Sequence, residues 1–155
     1  MATPNDVDLL VIGGGCAGLS IARLLARHRC SVRTLVIEPR TDYANDRTWS
    51  FWQPALHRYR HLVTHSWDAW RFSTAAGSVI QTGDNTMRYQ SIRAIDFYED
   101  AIELIRNAPP IELANGVSAI SIEASRAGFT VDTSAGSINA RYVIDTRPPL
   151  SLIHI

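Results

Sequence analysis

Asp8-Leu9-Leu10-Val11-Ile12-Gly13-Gly14-Gly15-Cys16-Ala17-Gly18 decides the fold. Its first residues form an unbroken apolar run, as in a parallel strand covered on both faces. Gly13, Gly15 and Gly18 then fall on the spacing G-x-G-x-x-G. Further on, Ala17, Ile21, Leu24, Leu25 and His28 recur along one helical face, with Arg23 and Arg27 expected outside it. Thr34–Ile37 is a second apolar strand, closed by Glu38-Pro39. Strand, helix and strand make a βαβ unit with parallel strands.

In that setting each glycine has a task. Gly13 allows the tight turn out of the strand. Gly15 lets backbone approach a pyrophosphate, and Gly18 lets the helix pack closely on the sheet. The free N–H groups at the helix start would meet the phosphates. Glu38 lies 20 residues past Gly18, where the ribose-binding acid of a Rossmann-like site is expected. The bland alternative is a tight turn without a ligand, and the full strand–glycine–helix–strand–acid context favours a dinucleotide. A negative Glu38 would repel a 2′-phosphate, but the motif does not separate FAD from NAD. Cys16 has no partner cysteine nearby and reads as a small residue in the loop rather than a redox thiol.

The 155 residues suit about one domain, and 46% hydrophobic with 19% charged residues suits a globular chain. A net charge of zero gives no electrostatic case for nucleic acid. All 15 basic residues are arginine, which excludes a P-loop lysine and Schiff-base chemistry. Cys16 and Cys30 make no disulfide framework, so a reducing compartment is the default. No apolar run approaches a spanning helix, and the polar start shows no signal peptide. Leu150–Ile155 matches an in-frame translation of a transposon-end sequencing adapter. It is read as a non-native tail, with native sequence expected to stop near Pro149 and the chain to be an N-terminal fragment.

Arg40–His65 shows little period and reads as a long excursion. Trp67–Phe72 and Ser78–Gln81 are expected to pair through Ala75-Ala76-Gly77, and Tyr89–Arg93 to form another strand. Asp96 is expected to cap a second helix, answered by Glu99, with Tyr98, Ala101, Ile102 and Ile105 buried. Ile111–Ala114, Val117–Glu123, Phe129–Thr133 and Ile138–Thr146 are strand candidates, the last two flanking a hairpin turn. His57, His61 and His65 would align on a helix, but without a nearby cysteine or acid they read as a solvated, arginine-rich face and no metal is expected. Trp49, Trp52, Trp67 and Trp70 read equally as a core cluster or as an aromatic wall for an apolar or cationic ligand.

Asn45-Asp46-Arg47-Thr48-Trp49-Ser50-Phe51-Trp52, taken with the glycine loop, resembles the lycopene β-cyclase family of flavoproteins. Two further blocks agree: Arg88–Tyr98, similar to Y-x-x-I-R-x-x-D-F-Y, and Ala140–Pro149, similar to the strand that returns to the flavin. The likeness runs from Asp8 to Pro149, and the block around Arg47 is its most specific part.

The resemblance implies an α/β fold: a Rossmann-like FAD-binding domain of the two-dinucleotide-binding-domain type, truncated, with part of a β-rich substrate domain. Residues 1–149 would be the FAD-binding region with the start of the substrate domain. It also implies redox-neutral, acid-catalysed cyclisation of an apolar carotenoid, lycopene, to β-ionone rings. The cofactor would be reduced FAD with NAD(P)H as electron source, in a cytoplasmic protein peripheral at the membrane. Gly13, Gly15, Gly18 and Glu38 carry over as FAD contacts, and Arg47 more loosely as a residue beside the flavin. The family's catalytic acid lies beyond Pro149, and nothing marks Asp68 or Asp96 as a substitute. The alternatives are an FAD-dependent hydroxylase or prenyl reductase of the same fold, or an inactive dinucleotide-binding fragment. The 155 residues alone are expected to bind FAD poorly.

Overall fold

The computed structural model describes residues 6–84 and 86–148; the proposed tail, Leu150–Ile155, and its junction at Pro149 lie outside the described residues. In chain order the elements are β1 (Asp6–Ile12), α1 (Cys16–Arg27), β2 (Thr34–Glu38), β3 (Thr48–Pro54), β4 (Val63–Trp67), β5 (Ala69–Thr74), β6 (Gly77–Thr82), β7 (Met87–Arg93), α2 (Ala94–Arg106), β8 (Ile111–Asn115), β9 (Ala119–Ser125), β10 (Gly128–Thr133) and β11 (Gly136–Asp145). The described residues form two compact units, one of residues 6–42 and 98–148, the other within Tyr43–Phe97.

The first unit is built on a six-stranded sheet in the order β8-β2-β1-β11-β10-β9. β8, β2, β1 and β11 are parallel, and β11, β10 and β9 form an antiparallel meander. Strand order thus reverses direction around β1, as in doubly wound sheets, and the glycine loop leaves the carboxyl end of that strand. Val11 lies against the helix at Gly18. Alternation turns Leu10 and Ile12 to the opposite side. There they join Ile37, Val131, Ile138 and Ala140 in one buried cluster.

α1 corrects the expected helical face. The buried residues are Gly18, Leu19, Ala22 and Arg23, whereas Leu24 is 46% exposed. Close approach to the sheet selects the small residues Gly18 and Ala22, and the stripe read from large apolar residues lies one step round the helix. Arg23, expected outside, is 3% exposed and donates from Nε to Oδ2 of Asp100 on α2 at 2.5 Å.

α2 starts at Ala94, directly after β7, so Asp96 is not the N-cap that its capping-box spacing suggests. It sits in the first turn and accepts from Arg93 Nε at 2.8 Å and Nη2 at 2.6 Å. A carboxylate there still complements the helix dipole. Ala94 instead spends its backbone N–H on the Arg47 carbonyl at 3.0 Å. Tyr98, Ala101 and Ile105 are buried as expected, and Ile102 is half-buried.

The second unit corrects the reading of 40–65 as an irregular excursion. The block around Trp49 is a strand: β3 pairs antiparallel with β7, and β4 lies on β7's other side. Trp and Phe in alternation with polar residues suit such a ladder. β5 and β6 form the expected hairpin, though Trp67 belongs to β4. The three histidines do not share a helix: His61 sits in a single 3-10 turn, His65 on β4 and His57 in the preceding loop.

Candidate dinucleotide-binding site

The site begins where β1 ends. Gly13 adopts φ +101°, and its N–H donates to the Ile37 carbonyl at 2.9 Å, tying the turn to β2. A Cβ at Gly13 would stand 2.7 Å from Thr146 Oγ1. The Thr146 hydroxyl reaches the Ile12 and Gly13 carbonyls at 2.9 and 3.1 Å, so the residue after β11 buttresses the loop. A Cβ at Gly18 would stand 1.8 Å from the Gly13 carbonyl oxygen, so helix and loop touch backbone to backbone.

Gly15 is different. It caps α1 without a side-chain hydrogen bond, and no atom lies within 4 Å of where its Cβ would be. No acidic residue occupies the first turn of α1. The positive end of the helix therefore starts beside open space at Gly15, with no side-chain cap or acid opposing it, an arrangement suited to a phosphate. Partial burial pushes the Cys16 thiol up, with Ser20 as its hydrogen-bond partner. A raised thiol is the opposite of an activated one.

Glu38 closes the other side, at the end of β2. It is 6% exposed. Its Oε2 accepts the Gly14 N–H at 2.7 Å, and its Oε1 accepts from Arg40 N at 3.1 Å and Arg40 Nε at 2.7 Å. Burial pushes the carboxyl up, but the hydrogen bonds from Arg40 and Gly14 outweigh it and hold Glu38 below its ordinary value. An ionised carboxylate has about four acceptor positions. Three donors here leave room for a ribose hydroxyl. Gly13, Gly15, Gly18 and Glu38 thus converge on one loop.

Arg47 belongs to the second unit, just before β3. Its side chain is largely exposed, with Nε 3.7 Å from Asp46 Oδ2. In the same unit Trp52, Trp67 and Trp70 gather around the Tyr89 ring at centroid distances of 5.4, 6.1 and 6.3 Å. Trp49 packs edge-on against buried Phe97 at 5.4 Å. The tryptophans therefore divide: Trp49 serves a core, while Trp67 and Trp70 stay exposed. Buried Gln90 ties β7 to its neighbours, reaching the Gln53 and Pro54 carbonyls at 3.3 Å and His57 at 2.7 Å. Asp68 is exposed and pairs with Arg88 at 2.7 Å. Among the described residues no group of three or more His, Cys, Asp or Glu is placed to hold a metal.

The sequence reading missed Arg40 and Thr146. Arg40 carried a signal in the spacing Glu38-Pro39-Arg40, an acid and a base leaving a strand end together. Thr146 lay inside the Ala140–Pro149 block, but its hydroxyl contact with the loop depends on β11 lying beside β1.

A profile of the lycopene cyclase protein family matches residues 8–153. The chain belongs to that family. The match spans the glycine loop, the β3 block, the β7–α2 block and β11 together. A search of the curated proteins finds no match. Among solved structures, the chain is similar to the p-nitrophenol 4-monooxygenase PnpA of Pseudomonas putida DLL-E4, with TM-score 0.73, 18% identity, and coverage of 92% of this chain and 41% of that one. It is also similar to the flavin-dependent monooxygenase PieE, solved with FAD and substrate, with TM-score 0.74, 16% identity, and coverage of 96% and 31%. A third is a geranylgeranyl bacteriochlorophyll reductase-like protein of Thermoplasma acidophilum, with TM-score 0.61, 18% identity, and coverage of 91% and 39%. The chain spans about two fifths or less of these proteins' lengths. The likeness establishes a shared α/β fold, the Rossmann-like one expected from the glycine loop.

Proposed function

We propose that residues 6–148 form the dinucleotide-binding part of an FAD-dependent lycopene cyclase that closes the ψ-ends of lycopene into β-ionone rings. The observation that carries the cofactor half is the pairing of an open helix start at Gly15 with the buried Glu38 carboxylate on the Gly14 amide. These residues fit a flavin dinucleotide. Gly15 admits the pyrophosphate, the first N–H groups of α1 bind it, and Glu38 accepts from the adenosine ribose. Membership of the lycopene cyclase family carries the substrate half. When bound and reduced, with electrons drawn from NAD(P)H, the flavin supplies an electron-rich ring that stabilises positive charge on the substrate.

The chain's own residues bind and orient in this scheme. Arg47, beside the β3 block, is assigned to the flavin end. Protonating an alkene demands an acid kept uncharged in a water-poor enclosure. Asp68 and Asp96, each exposed enough to carry an arginine partner, do not meet that demand. The acid is assigned outside the described residues. The substrate is apolar and held in membranes, so the protein is assigned to the membrane surface on the cytoplasmic side. No described helix is long and apolar enough to cross a membrane.

The test is product analysis of the full-length natural protein in cells accumulating lycopene. Cyclisation adds one proton and removes another, so the product has the mass of lycopene. A gain of one oxygen with the chain left open would identify a hydroxylase, and a gain of two hydrogens a reductase.

A further inference from the structure

The dinucleotide reading gives Arg40 no part, yet its side chain reaches the terminal acid of β2, the glycine loop and α2. Its Nε donates to Glu38 Oε1 at 2.7 Å, and its own backbone N–H donates to the same oxygen. Nη1 reaches the Tyr98 hydroxyl at 3.3 Å, and the guanidinium carbon stands 5.3 Å from the centre of the Tyr98 ring. Nη2 lies 3.5 Å from the carbonyl oxygen of Gly14. One planar group therefore touches β2's terminal acid, the glycine loop and α2 together.

The geometry fixes one oxygen of Glu38 and leaves the other facing the loop. Oε1 takes both Arg40 donors, while Oε2 takes the Gly14 N–H. A glutamate side chain has several staggered rotamers, and the two Arg40 donors on Oε1 hold the one that keeps Oε2 on the Gly14 N–H. The guanidinium fork is rigid, and Tyr98 is 1% exposed, so the clamp is anchored in the core. A lysine has no such fork and would hold Glu38 only as a point charge.

We infer that Arg40 is a positioning residue for the dinucleotide site, clamping Glu38 from behind so that its second oxygen faces the ribose. The inference rests on the reading of Glu38 as the ribose-binding acid. Arg40 acts through Glu38, so removing it matters only while Glu38 is present.

A double-mutant cycle on FAD affinity tests this, with the full-length natural protein titrated with FAD by flavin fluorescence quenching. Arg40→Met should weaken FAD by about ten-fold, the size expected from losing one well-placed hydrogen bond to a charged group. In a Glu38→Ala background the same substitution should change affinity by less than about twofold, within the usual additivity error. Arg40→Lys should stay folded and bind FAD several-fold more weakly than the natural protein. An equal effect of Arg40→Met in both backgrounds would show a general structural role and overturn the inference. So would an Arg40→Lys protein binding FAD as tightly as the natural one, which decides the matter even where Arg40→Met does not fold. A Glu38→Ala protein with unchanged affinity would overturn the ribose-acid reading and the inference with it.

Discussion

Two glycines three residues apart should respond to the same substitution in opposite ways. At Gly18 an added Cβ would meet the Gly13 carbonyl oxygen at 1.8 Å and its carbon at 3.0 Å. Ordinary contact begins near 3.4 Å, so helix and loop must separate by about 1.6 Å. Both obstructing atoms are backbone, and no rotamer change relieves them. Overpacking costs ~1–3 kcal/mol when side chains can give way, which places this site at ~3 kcal/mol or above. The better helix propensity of alanine returns ~1 kcal/mol. The net loss is therefore ~2 kcal/mol or more, a fall in Tm of ~4–8 °C for a chain of this size. At Gly15 no atom lies within 4 Å, and φ is −79°, open to any residue. Gly15→Ala should cost no more than ~1 kcal/mol of capping energy. Its methyl group would instead fill the space assigned to the pyrophosphate, so FAD affinity should fall by about ten-fold or more, as when a buried hydrogen bond to a charged group is broken. Thermal unfolding of the 155-residue variants followed by circular dichroism, with FAD titration of the same substitutions in the full-length natural protein, separates the two effects. A Gly18→Ala protein that melts with the natural one would refute the packing argument, and a Gly15→Ala protein with unchanged FAD affinity would refute the cradle.

Other sites give independent checks. Arg23→Ala should lower stability by ~3 kcal/mol, because it removes the buried cation that the Asp100 carboxylate meets in a part-buried site; chemical denaturation at neutral pH measures it, and a loss under ~1 kcal/mol contradicts the pair. Glu38 has a folded pKa below its unfolded value near ~4.3. Its contribution is thus fully present above that value and is lost as pH falls through the folded pKa. Glu38→Gln should flatten the acid limb of the stability–pH curve below about pH 4.3 while leaving its slope between pH 6 and 8 unchanged; an acid limb identical to the natural protein's sinks the assignment. Gln90→Leu removes the partner of His57 and of two β3 carbonyls. It should cost ~1–3 kcal/mol of stability by removing three hydrogen bonds made by a buried side chain, and an unchanged unfolding midpoint would contradict that role.

Much of this was legible in the chain because backbone rules act locally. The glycine spacing, the apolar runs on either side and the acid at Glu38 specify a turn, a helix and two parallel strands within a short stretch, and the structure assembles them so. The hairpins were legible for the same reason. What was not legible depends on partners distant in sequence. The buried face of α1 is chosen by how near the sheet lies, so Gly18 and Ala22 outrank Leu24. Arg23 is buried because Asp100 meets it from a helix much later in the chain. β3 was missed because its partner β7 lies beyond the intervening hairpin, so the short alternation at Trp49 and Phe51 had no visible strand to pair with. At the site, Glu38 could be named from spacing alone, but its orientation comes from Arg40, and Arg40 is anchored by Tyr98 through folding.

The activity proposed for this lycopene cyclase family chain's enzyme is ring closure by moving protons. It is tested most directly by running the full-length protein on lycopene in deuterated water and weighing the product. An acid in exchange with solvent delivers a deuteron to the alkene, and a carbon-bound proton leaves as the ring's double bond forms. Cyclic carotene should come out heavier by one mass unit for each ring formed, and of unchanged mass in ordinary water. An open-chain product carrying an added oxygen or two added hydrogens, or a cyclic one without deuterium, would contradict it.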